Sequence, residues 1–594
     1  MSFNYSLPPL VSLKAASIDQ TYLQQIKKLE QEIKALKNLH TNAYHKNIYL
    51  LLNKFAENFL MPSEYWTDLF ETMWRFNFNF DKNYITSLSK YHFYNKEDDK
   101  FSTTSNISYQ KVLSNPKLKF LTIFNEENEH KSGDRKNFSP LIQILQYPNC
   151  DIEQVWALYE SEIYTFPAKN IVEIYQKMKD LYFKIKSMEE NNVFEWFNIL
   201  FEVGDDEFVI DNVENRLGKD LTNKILWKLY IKFWEKRDKK TMLHIYSKYC
   251  RIFPGQKSIK NEYEKEVKKF GPPLIVPWKN AFSFEKYVEN FDFNTAVLQK
   301  KQQKNVPMKK QKHLKPCDRY FIFENAVMQK FSFRQTFINY IFDNANPEQK
   351  QKLLVLCKFF FLQNPIQICY KFIVQQMLDQ SLINFCQNSV TVDPTYLQKA
   401  NFTKICISTV FNFTVCDNHT ALSAFIPKIL KCSAKFVTIR CQKLTLDEIK
   451  VIIGDGNVEE ILLQKVDIFD KINQRNVPIE EILELTPKLK KLTLPSYPVT
   501  TAFIESLINI PFENKLDFID FQNVRGSDFD ANIFLQFLLE KMKPKCKINF
   551  FFQFAPGFTL DEMYEMSYAV KDMINKNFGY DGDIPYYIYN YDIQ

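Results

Sequence analysis

Residues 226–236 read LWKLYIKFWEK and residues 242–254 read MLHIYSKYCRIFP, and together they decide the fold of the first half of the chain. The same signature occurs earlier, as VWALYESE at 155–162 and IVEIYQKM at 171–178. In both copies a Trp is followed three residues later by a Tyr, and an Ile-Tyr pair ends nineteen residues after the Trp. This repeated aromatic pattern predicts paired helices.

The spacing also predicts where each pair turns. A Trp and a Tyr at positions i and i+3 lie on one helix face. Nineteen residues would fill about five turns of a continuous helix, so we expect a short turn instead, at Phe166-Pro167 in the first copy and near Lys236–Lys240 in the second. The copies lie 71 residues apart, which fits two helical-hairpin repeats. An intermediate copy is expected near Trp196 and an earlier one near Trp66.

The signature resembles the half-a-TPR (HAT) repeat, which has Trp-x-x-Tyr and Glu on its first helix and Ile-Tyr followed by Pro on its second. In the second copy these residues are Trp227, Tyr230, Glu235, Ile245, Tyr246 and Pro254. In the first copy they are Trp156, Tyr159 and Tyr175. The family usually has Arg two residues after the second Tyr, where this chain has Lys248. More narrowly, residues 213–265 are similar to the pre-mRNA-processing factor 39 proteins.

The resemblance implies an all-α array of HAT/TPR-like helical hairpins that holds protein partners in RNA processing. It implies ribonucleoprotein components as partners and a nuclear location, with any contact to RNA made indirectly. We assign the signature residues a structural role, because aromatic side chains bury roughly 150–250 Å² each and join neighbouring hairpins.

The N-terminal segment, residues 1–60, leaves two interpretations open. Ile26, Leu29, Ile33 and Leu36 follow the 3-4-3 spacing of a short coiled coil. They also fit an amphipathic first helix that packs on the next one, and we favour this because about two heptads seldom sustain a coiled coil. The HAT-like array is then expected over 61–298, interrupted by a polar insertion at 96–140.

Residues 299–316 read QKKQQKNVPMKKQKHLKP and separate two regions of different composition. This stretch holds seven Lys and almost no apolar side chains. We interpret it as a basic linker, because it cannot bury enough apolar surface to fold. Such a charge run is usually solvated, and it is also typical of a nuclear-import segment.

Residues 321–390 are predicted to form a small bundle of short helices. An apolar pair, a polar Asn-Pro-Glu helix start and an apolar run follow one another, and this order resembles an F-box. The residues implied for its surface are Ile341, Phe342, Leu353, Leu356 and Phe359. The usual Leu-Pro opening is replaced by Arg334-Gln335. A true F-box implies a Skp-type linker of a cullin ubiquitin ligase as partner; a generic helical bundle is the alternative.

Residues 400–580 are predicted to alternate strands and helices. Strand-like runs are Phe436–Arg440, Glu460–Leu463, Lys491–Leu494, Asp517–Phe521 and Lys547–Phe552. Helical stretches include LTLDEIKVIIGD and TTAFIESLINI, and a last one is expected at 559–577. The pattern resembles the leucine-rich-like repeats that often follow an F-box, without their asparagine ladder. We expect an irregular α/β solenoid that binds the substrate in such adaptors.

Motif content predicts a non-enzymatic protein. Eleven Gly in 594 residues leave little material for phosphate-binding loops. The sequence has no P-loop, dinucleotide-binding, nucleophile-elbow or H-E-x-x-H motif. His40 and His45 are the closest His pair, and their five-residue spacing turns them apart on a helix. We therefore expect no catalytic residue, metal, cofactor or small-molecule substrate.

Net charge and cysteine usage indicate the cellular compartment and the kinds of partner. A net charge of +7, from 77 basic and 70 acidic residues, permits an acidic partner such as RNA without requiring one. Eleven Cys without a C-x-x-C pair predict free thiols in a reducing compartment. The first residues lack a signal-peptide pattern, and no stretch reaches the roughly 18–20 apolar residues of a membrane span. We expect a nuclear or cytosolic protein that binds no membrane.

Two functions are consistent with these features. The first is a HAT-repeat scaffold in pre-mRNA splicing, which depends on the Trp-x-x-Tyr and Ile-Tyr signature. The second is an F-box adaptor that presents a substrate to a cullin-type ubiquitin ligase, which depends on residues 321–390 and the solenoid behind them.

Overall fold

The computed structural model describes residues 18–36, 41–76, 82–94, 136–188, 192–273, 276–286, 333–356, 360, 366–376, 382–397, 399, 402, 404–525, 529–553 and 586–588. The chain divides into two compact units. The first comprises Met1–Glu126, Ser139–Trp156 and Asn170–Asp318, and the second comprises Glu127–Phe138, Ala157–Lys169 and Arg319–Gln594. Each unit has its own hydrophobic core.

The first unit is helical, as the aromatic signature predicts. Its described helices are α1 (Gln20–Ala35), α2 (Thr41–Ala56), α3 (Ser63–Phe76), α4 (Lys82–Tyr91), α5 (Ser139–Leu145), α6 (Ile152–Glu162), α7 (Lys169–Met188), α8 (Val193–Ile199), α9 (Asp206–Lys219), α10 (Lys224–Glu235), α11 (Lys239–Ile252) and α12 (Lys257–Phe270). The division between the units falls inside α6, after Trp156.

Both predicted turns are confirmed. Helix α10 ends at Glu235 and α11 begins at Lys239. The new helix starts there because the Asp238 carboxylate accepts hydrogen bonds from the free backbone N–H groups of Lys240 (3.0 Å) and Thr241 (3.3 Å). In the first copy α6 ends at Glu162 and α7 begins at Lys169, so Phe166-Pro167 lies between them.

Helix α1 packs as an amphipathic helix on its neighbour. Ile26, Leu29 and Ile33 are buried, and they belong to the same core as the apolar residues of α2. Asp19 caps the start of α1 by accepting hydrogen bonds from the N–H groups of Thr21 and Tyr22. The 3-4-3 spacing therefore reflects one buried helix face within a larger core.

Several predictions fall outside the described residues. These are most of the polar insertion, the basic linker at 299–316, the helix at 559–577 and the side chains of Leu356 and Phe359. The described chain resumes at Lys136, and α5 begins at Ser139.

The second unit is built on a mostly parallel sheet. Its strands are β1 (Ile366–Val374), β2 (Ile383–Cys386), β3 (Ser389–Val392), β4 (Lys404–Thr414), β5 (Ile429–Cys432), β6 (Phe436–Arg440), β8 (Glu460–Gln464), β11 (Lys491–Leu494), β12 (Leu516–Arg525), β13 (Met542–Gln553) and β14 (Tyr586–Ile588). A small second sheet holds β7 (Lys443–Thr445), β9 (Asp467–Asp470) and β10 (Arg475–Asn476). All five strands predicted between 436 and 552 are confirmed.

The order of the strands follows the chain. From β1 onward the neighbours are β4, β6, β8, β11, β12, β13 and β14, and each of these pairs is parallel. The connecting helices are α15 (Ala421–Phe425), α16 (Leu446–Ile453), α17 (Ile479–Leu483), α18 (Thr501–Asn509) and α19 (Ala531–Lys541). Because parallel crossovers are right-handed and the strand order does not reverse from β4 onward, these helices share one face of the sheet.

The helical bundle predicted over 321–390 is wrong in its second half. Helices α13 (Gln335–Asn344) and α14 (Pro347–Leu356) are present, but residues 366–392 form strands β1, β2 and β3. Strand β1 lies between β3 and β4 inside the sheet. A central parallel strand is covered on both faces, so its sequence is a continuous apolar run that periodicity cannot distinguish from a buried helix.

Candidate interaction site on the open face of the sheet

One face of the sheet is packed beneath the helices. Val437, Ile461, Leu492 and Ile519 are register partners on neighbouring strands, and all four are buried. Side chains alternate between the two faces of a strand, so the residues on either side of these four point away from the helices. We call that second surface the open face.

The buried positions repeat with constant internal spacing around β6, β8, β11 and β12. The four sets are Ala434, Val437, Ile439, Gln442 and Leu444; Val458, Ile461, Leu463, Val466 and Ile468; Leu489, Leu492, Leu494, Tyr497 and Val499; and Leu516, Ile519, Phe521 and Val524. Apart from Gln442, the members are core residues or pack against the core. Each of these strands therefore lies in a structural unit with the same spacing of buried residues, although the number of residues from one unit to the next differs.

Gln442 is the polar member of this series, and it is fully buried. Its Nε2 donates to the carbonyl oxygens of Val415 (2.7 Å) and Asn418 (3.0 Å), and its Oε1 accepts from the N–H of Leu422 (3.0 Å). One side chain thus satisfies three backbone groups of the preceding loop. Gln442 is not an asparagine and so does not stand out in the sequence; its constant spacing from Val437 and Ile439 is the signal that identifies it.

The open face over β8, β11 and β12 carries charged and half-buried side chains. Glu460 forms an ion pair with Lys491 on the adjacent strand. Beside them in register lie Leu462 and Thr493, both partly accessible. Asp520 continues that row and accepts a hydrogen bond from Gln522 Nε2 at 3.1 Å. This part of the open face therefore combines paired charges with partly accessible apolar side chains.

The other end of the open face is covered by residues 157–169 of the same unit. Tyr370 OH donates to the carbonyl oxygen of Glu160 at 2.7 Å, and Lys371 Nζ donates to that of Glu162 at 3.3 Å. The Glu160 carboxylate pairs with Lys435 at 2.7 Å. Burial lowers the pKa of Lys371 to about 8. This segment therefore restricts the accessible part of the open face to β8 and the strands beyond it.

A cleft of about 790 Å³ opens beside the carboxyl ends of β8 and β11. Leu463 and Leu494 form part of its floor, and Lys443, Lys465 and Asp467 stand around it. Lys465 adopts a left-handed backbone conformation with φ of 52° directly after β8, as Cys441 does with φ of 54° after β6. The two strands thus end in the same way, which supports a repeated unit.

The structure places Trp227, Tyr230 and Tyr246 of the second copy in the interior of the first unit. Trp227 and Tyr230 are both fully buried on α10. Tyr230 OH donates to Glu214 Oε1 on α9 (2.8 Å), and Tyr246 OH donates to Glu262 Oε1 on α12 (2.9 Å). Tyr230 thus joins α10 to the preceding helix, and Tyr246 joins α11 to the following one.

The first copy is assembled differently. The ring of Trp156 stacks on that of Tyr175, with centroids 4.4 Å apart and planes 7° apart. Tyr159 belongs to the second unit and packs edge-on against Phe138. In the second copy Trp227 instead packs edge-on against Tyr249. The two copies therefore share spacing and helix–turn–helix form but not the same ring contacts.

The remaining signature residues are structural or solvent-facing. Glu235 is exposed at the end of α10, and Pro254 is half-buried after α11. Lys248, which replaces the usual Arg, is buried with its Nζ 4.3 Å from the ring centre of Tyr91 and 3.9 Å from that of Phe93. Burial lowers the pKa of Lys248 to about 8, and the negative charge of Glu214 opposes part of this decrease.

The residues predicted for an F-box surface separate into buried and exposed groups. Phe342 is buried and its ring stacks on Phe360, with centroids 5.7 Å apart. Leu353 is partly buried against the same small cluster. Ile341 is exposed, and Phe337 and Tyr340 on α13 are exposed with it. Helix α13 therefore presents an outward apolar stripe.

No protein-family model matches this sequence, and comparison with curated proteins finds no match. Within the described ranges, no helix combines the length and apolar character needed to cross a membrane. The same part of the chain contains no group of three or more His, Cys, Asp or Glu residues placed to hold a metal ion.

Proposed function

We propose that this protein is a non-enzymatic protein-interaction scaffold in which HAT-like helical hairpins are joined to a leucine-rich-like α/β solenoid. One observation carries the proposal: within the described residues, the parallel strands from β4 onward pair in chain order, repeat one buried pattern and carry charged and partly accessible apolar side chains on the face away from the connecting helices. Sheets of this kind present extended binding surfaces, because each repeat adds its outward side chains to a common face.

The repeated pattern supports the leucine-rich-like assignment. The consensus of such repeats is L-x-x-L-x-L-x-x-N/C-x-L, with one strand and one helix per repeat. Residues 434–444 match it with Ala, Val, Ile, Gln and Leu at the consensus positions. Gln442 occupies the consensus Asn/Cys position and hydrogen-bonds three backbone groups that precede it in the chain.

The helical unit supports a HAT-like partner-binding role in pre-mRNA processing. Trp227, Tyr230 and Tyr246 are buried, so they stabilise the hairpins and leave binding to exposed residues. The Tyr–Glu hydrogen bonds of Tyr230 and Tyr246 join these two helices to the neighbours before and after them. The family resemblance extends this to ribonucleoprotein partners in the nucleus.

A second candidate function, a substrate adaptor of a cullin-type ubiquitin ligase, is favoured by the outward apolar stripe of α13. Phe337, Tyr340 and Ile341 stand at i, i+3 and i+4, the spacing with which a helix presents one apolar face to a partner. The solenoid follows this helix in the chain, as a substrate-binding part would.

Affinity purification of the intact chain with identification of its partners tests both functions. Leu462→Glu places a charge on the open face, and Leu539→Glu, on the exposed surface of α19, is the matched control. We expect Leu462→Glu to lose partners that the control retains. If both variants recover the same partners as the wild type, the open face is not the binding surface.

The helix α13 is tested with Tyr340→Glu and its control Val355→Glu, since both side chains are exposed. Recovery of Skp and cullin subunits that depends on Tyr340 would establish the adaptor and refute splicing as the main role. Recovery of splicing proteins without those subunits would refute the adaptor. Point variants are needed here because deletion of 321–390 would also remove β1 from the centre of the sheet.

A further inference from the structure

Two cysteines of the second unit lie in contact outside the core. Cys416 follows β4 and Cys441 follows β6, and these strands are parallel neighbours with Thr414 and Arg440 in register. The two Sγ atoms are 3.1 Å apart. Cys416 is exposed and Cys441 is partly exposed, so reagents in solution reach the pair. Two thiols at this distance need only a small movement to reach the roughly 2.05 Å of a disulfide bond.

The backbone around the pair is already held together. Besides the hydrogen bonds of Gln442, Lys443 N–H donates to the carbonyl oxygen of His419 at 2.7 Å. The Nδ1 atom of His419 lies 2.8 Å from the carbonyl oxygen of Cys441, within hydrogen-bond distance. These contacts connect the segments that carry the two sulfurs, so bond formation requires little reorganisation of the loops.

The pair differs from other cysteines of the same sheet. Cys369 and Cys432 are buried, and burial raises the pKa of each thiol to about 12. Such thiols remain protonated at neutral pH and are poor nucleophiles. The Cys441 thiol donates a hydrogen bond to Cys416 Sγ, and this bond is the main reason that its pKa is raised. The exposed Cys416 sulfur is therefore the first to meet an oxidant.

We propose that Cys416 and Cys441 form a reversible redox site that hydrogen peroxide converts to an intramolecular disulfide. The Cys416 sulfur loses its proton and attacks one peroxide oxygen, the O–O bond breaks, and one water leaves as Cys416 becomes a sulfenic acid. The Cys441 sulfur then loses its proton and attacks the Cys416 sulfur, the S–O bond breaks, and a second water leaves. Two thiols and one peroxide thus give one disulfide and two waters, and a dithiol reductant reverses the change.

The test treats the intact folded chain with hydrogen peroxide, blocks the remaining thiols and maps unreduced peptides by mass spectrometry. We expect one dominant cross-linked peptide that joins Cys416 to Cys441, lighter by two hydrogen atoms than the sum of its parts and lost on reduction with dithiothreitol. Cys416→Ser and Cys441→Ser each abolish it. Cys150→Ser, which removes an exposed thiol of the first unit, leaves it unchanged.

A second measurement tests the order of attack. In Cys441→Ser the sulfenic acid has no resolving thiol, so we expect a dimedone adduct on Cys416 that the wild type does not accumulate. Over-oxidation of Cys416 to sulfinic acid in the wild type without a cross-link would overturn the proposal. Cross-links distributed over several cysteines, or a dimedone adduct that forms equally on Cys416 in the wild type, would also overturn it.

Discussion

Replacing Glu285 by Gln tests a fully buried ionic contact of the first unit. The Glu285 side chain is 0% exposed, and that of Arg251 is 3% exposed. Glu285 Oε2 accepts from Arg251 Nη2 (2.9 Å) and from the N–H of Phe282 (2.7 Å). Its Oε1 accepts from Ser247 Oγ (2.6 Å) and Tyr263 OH (3.1 Å). The substitution keeps the shape of the side chain and removes its charge.

The expected loss of stability follows from the unpaired cation. Removing one partner of a buried ion pair costs about 3–5 kcal/mol, because the other charge remains desolvated without compensation. The guanidinium of Arg251 lies 3.9 Å from the ring centre of Phe282, and this contact offsets only part of the loss. The Gln amide also places donor hydrogens opposite groups that themselves donate. With a denaturation slope of about 2 kcal/mol/M, the urea midpoint falls by roughly 1.5–2.5 M.

The assay is urea denaturation of the full chain followed by tryptophan fluorescence, since Trp278 lies in this cluster and donates to Ser247 Oγ. Glu264→Gln is the matched control, because its pair with Lys268 is exposed, at 38% and 72% respectively. We expect the control to change stability by less than about 1 kcal/mol. The double variant Arg251→Met/Glu285→Gln removes both charges and is expected to lose less than the sum of the single changes. A Glu285→Gln loss no larger than that of Glu264→Gln would refute the reasoning.

Three further substitutions test other parts of the fold. Gly218→Ala places a Cβ 2.4 Å from the carbonyl oxygen of Phe93, so we expect a loss of about 1–3 kcal/mol in the first unit, and an unchanged urea midpoint would contradict this close approach. Gln442→Ala removes the hydrogen-bond partner of three backbone groups, two of them in buried bonds, which costs roughly 2–4 kcal/mol. Calorimetry that finds the transition of the second unit unchanged would show that water replaces the amide. Burial lowers the pKa of His92 well below its ordinary value of 6.5. Below about pH 6.5 the unfolded chain binds a proton that the folded chain excludes, so the stability of the first unit falls with the pH. We expect the unfolding free energy of His92→Gln to depend less on pH than that of the wild type. An equal pH dependence in the two proteins would show that other groups cause it.

Local sequence patterns predicted helices and strands well where one face of the element is buried and the other is exposed. The Trp-x-x-Tyr and Ile-Tyr spacing located both helical turns, since an amphipathic helix must end where its apolar face ends. The short strands from Phe436 to Phe552 were found because β-rich runs alternate with helical ones. Strand β4, of 11 residues, was not predicted, and β1 was taken for a helix. Both lie inside the sheet, where burial on two faces removes the alternation.

Residues whose role depends on distant partners could not be found from the sequence. Arg251 and Glu285 are 34 positions apart, and Cys416 and Cys441 are 25 apart. Nothing local to either partner distinguishes a buried ion pair from two surface charges, or a redox pair from two separate thiols. Gln442 is intermediate, because its spacing from Val437 and Ile439 repeats in later strands although its residue type does not.

The amino-acid sequence by itself determined the helical character of the first half, its aromatic hairpins and the alternation of strand and helix in the second. These properties depend on periodicity and on turn residues, which act over a few neighbouring positions. Only the tertiary structure decided that the strands from β4 onward pair in chain order, that residues 157–169 belong to the sheet unit, and that the connecting helices share one face of this sheet. Those properties depend on which distant surfaces bury one another, and burial is a property of the assembled chain.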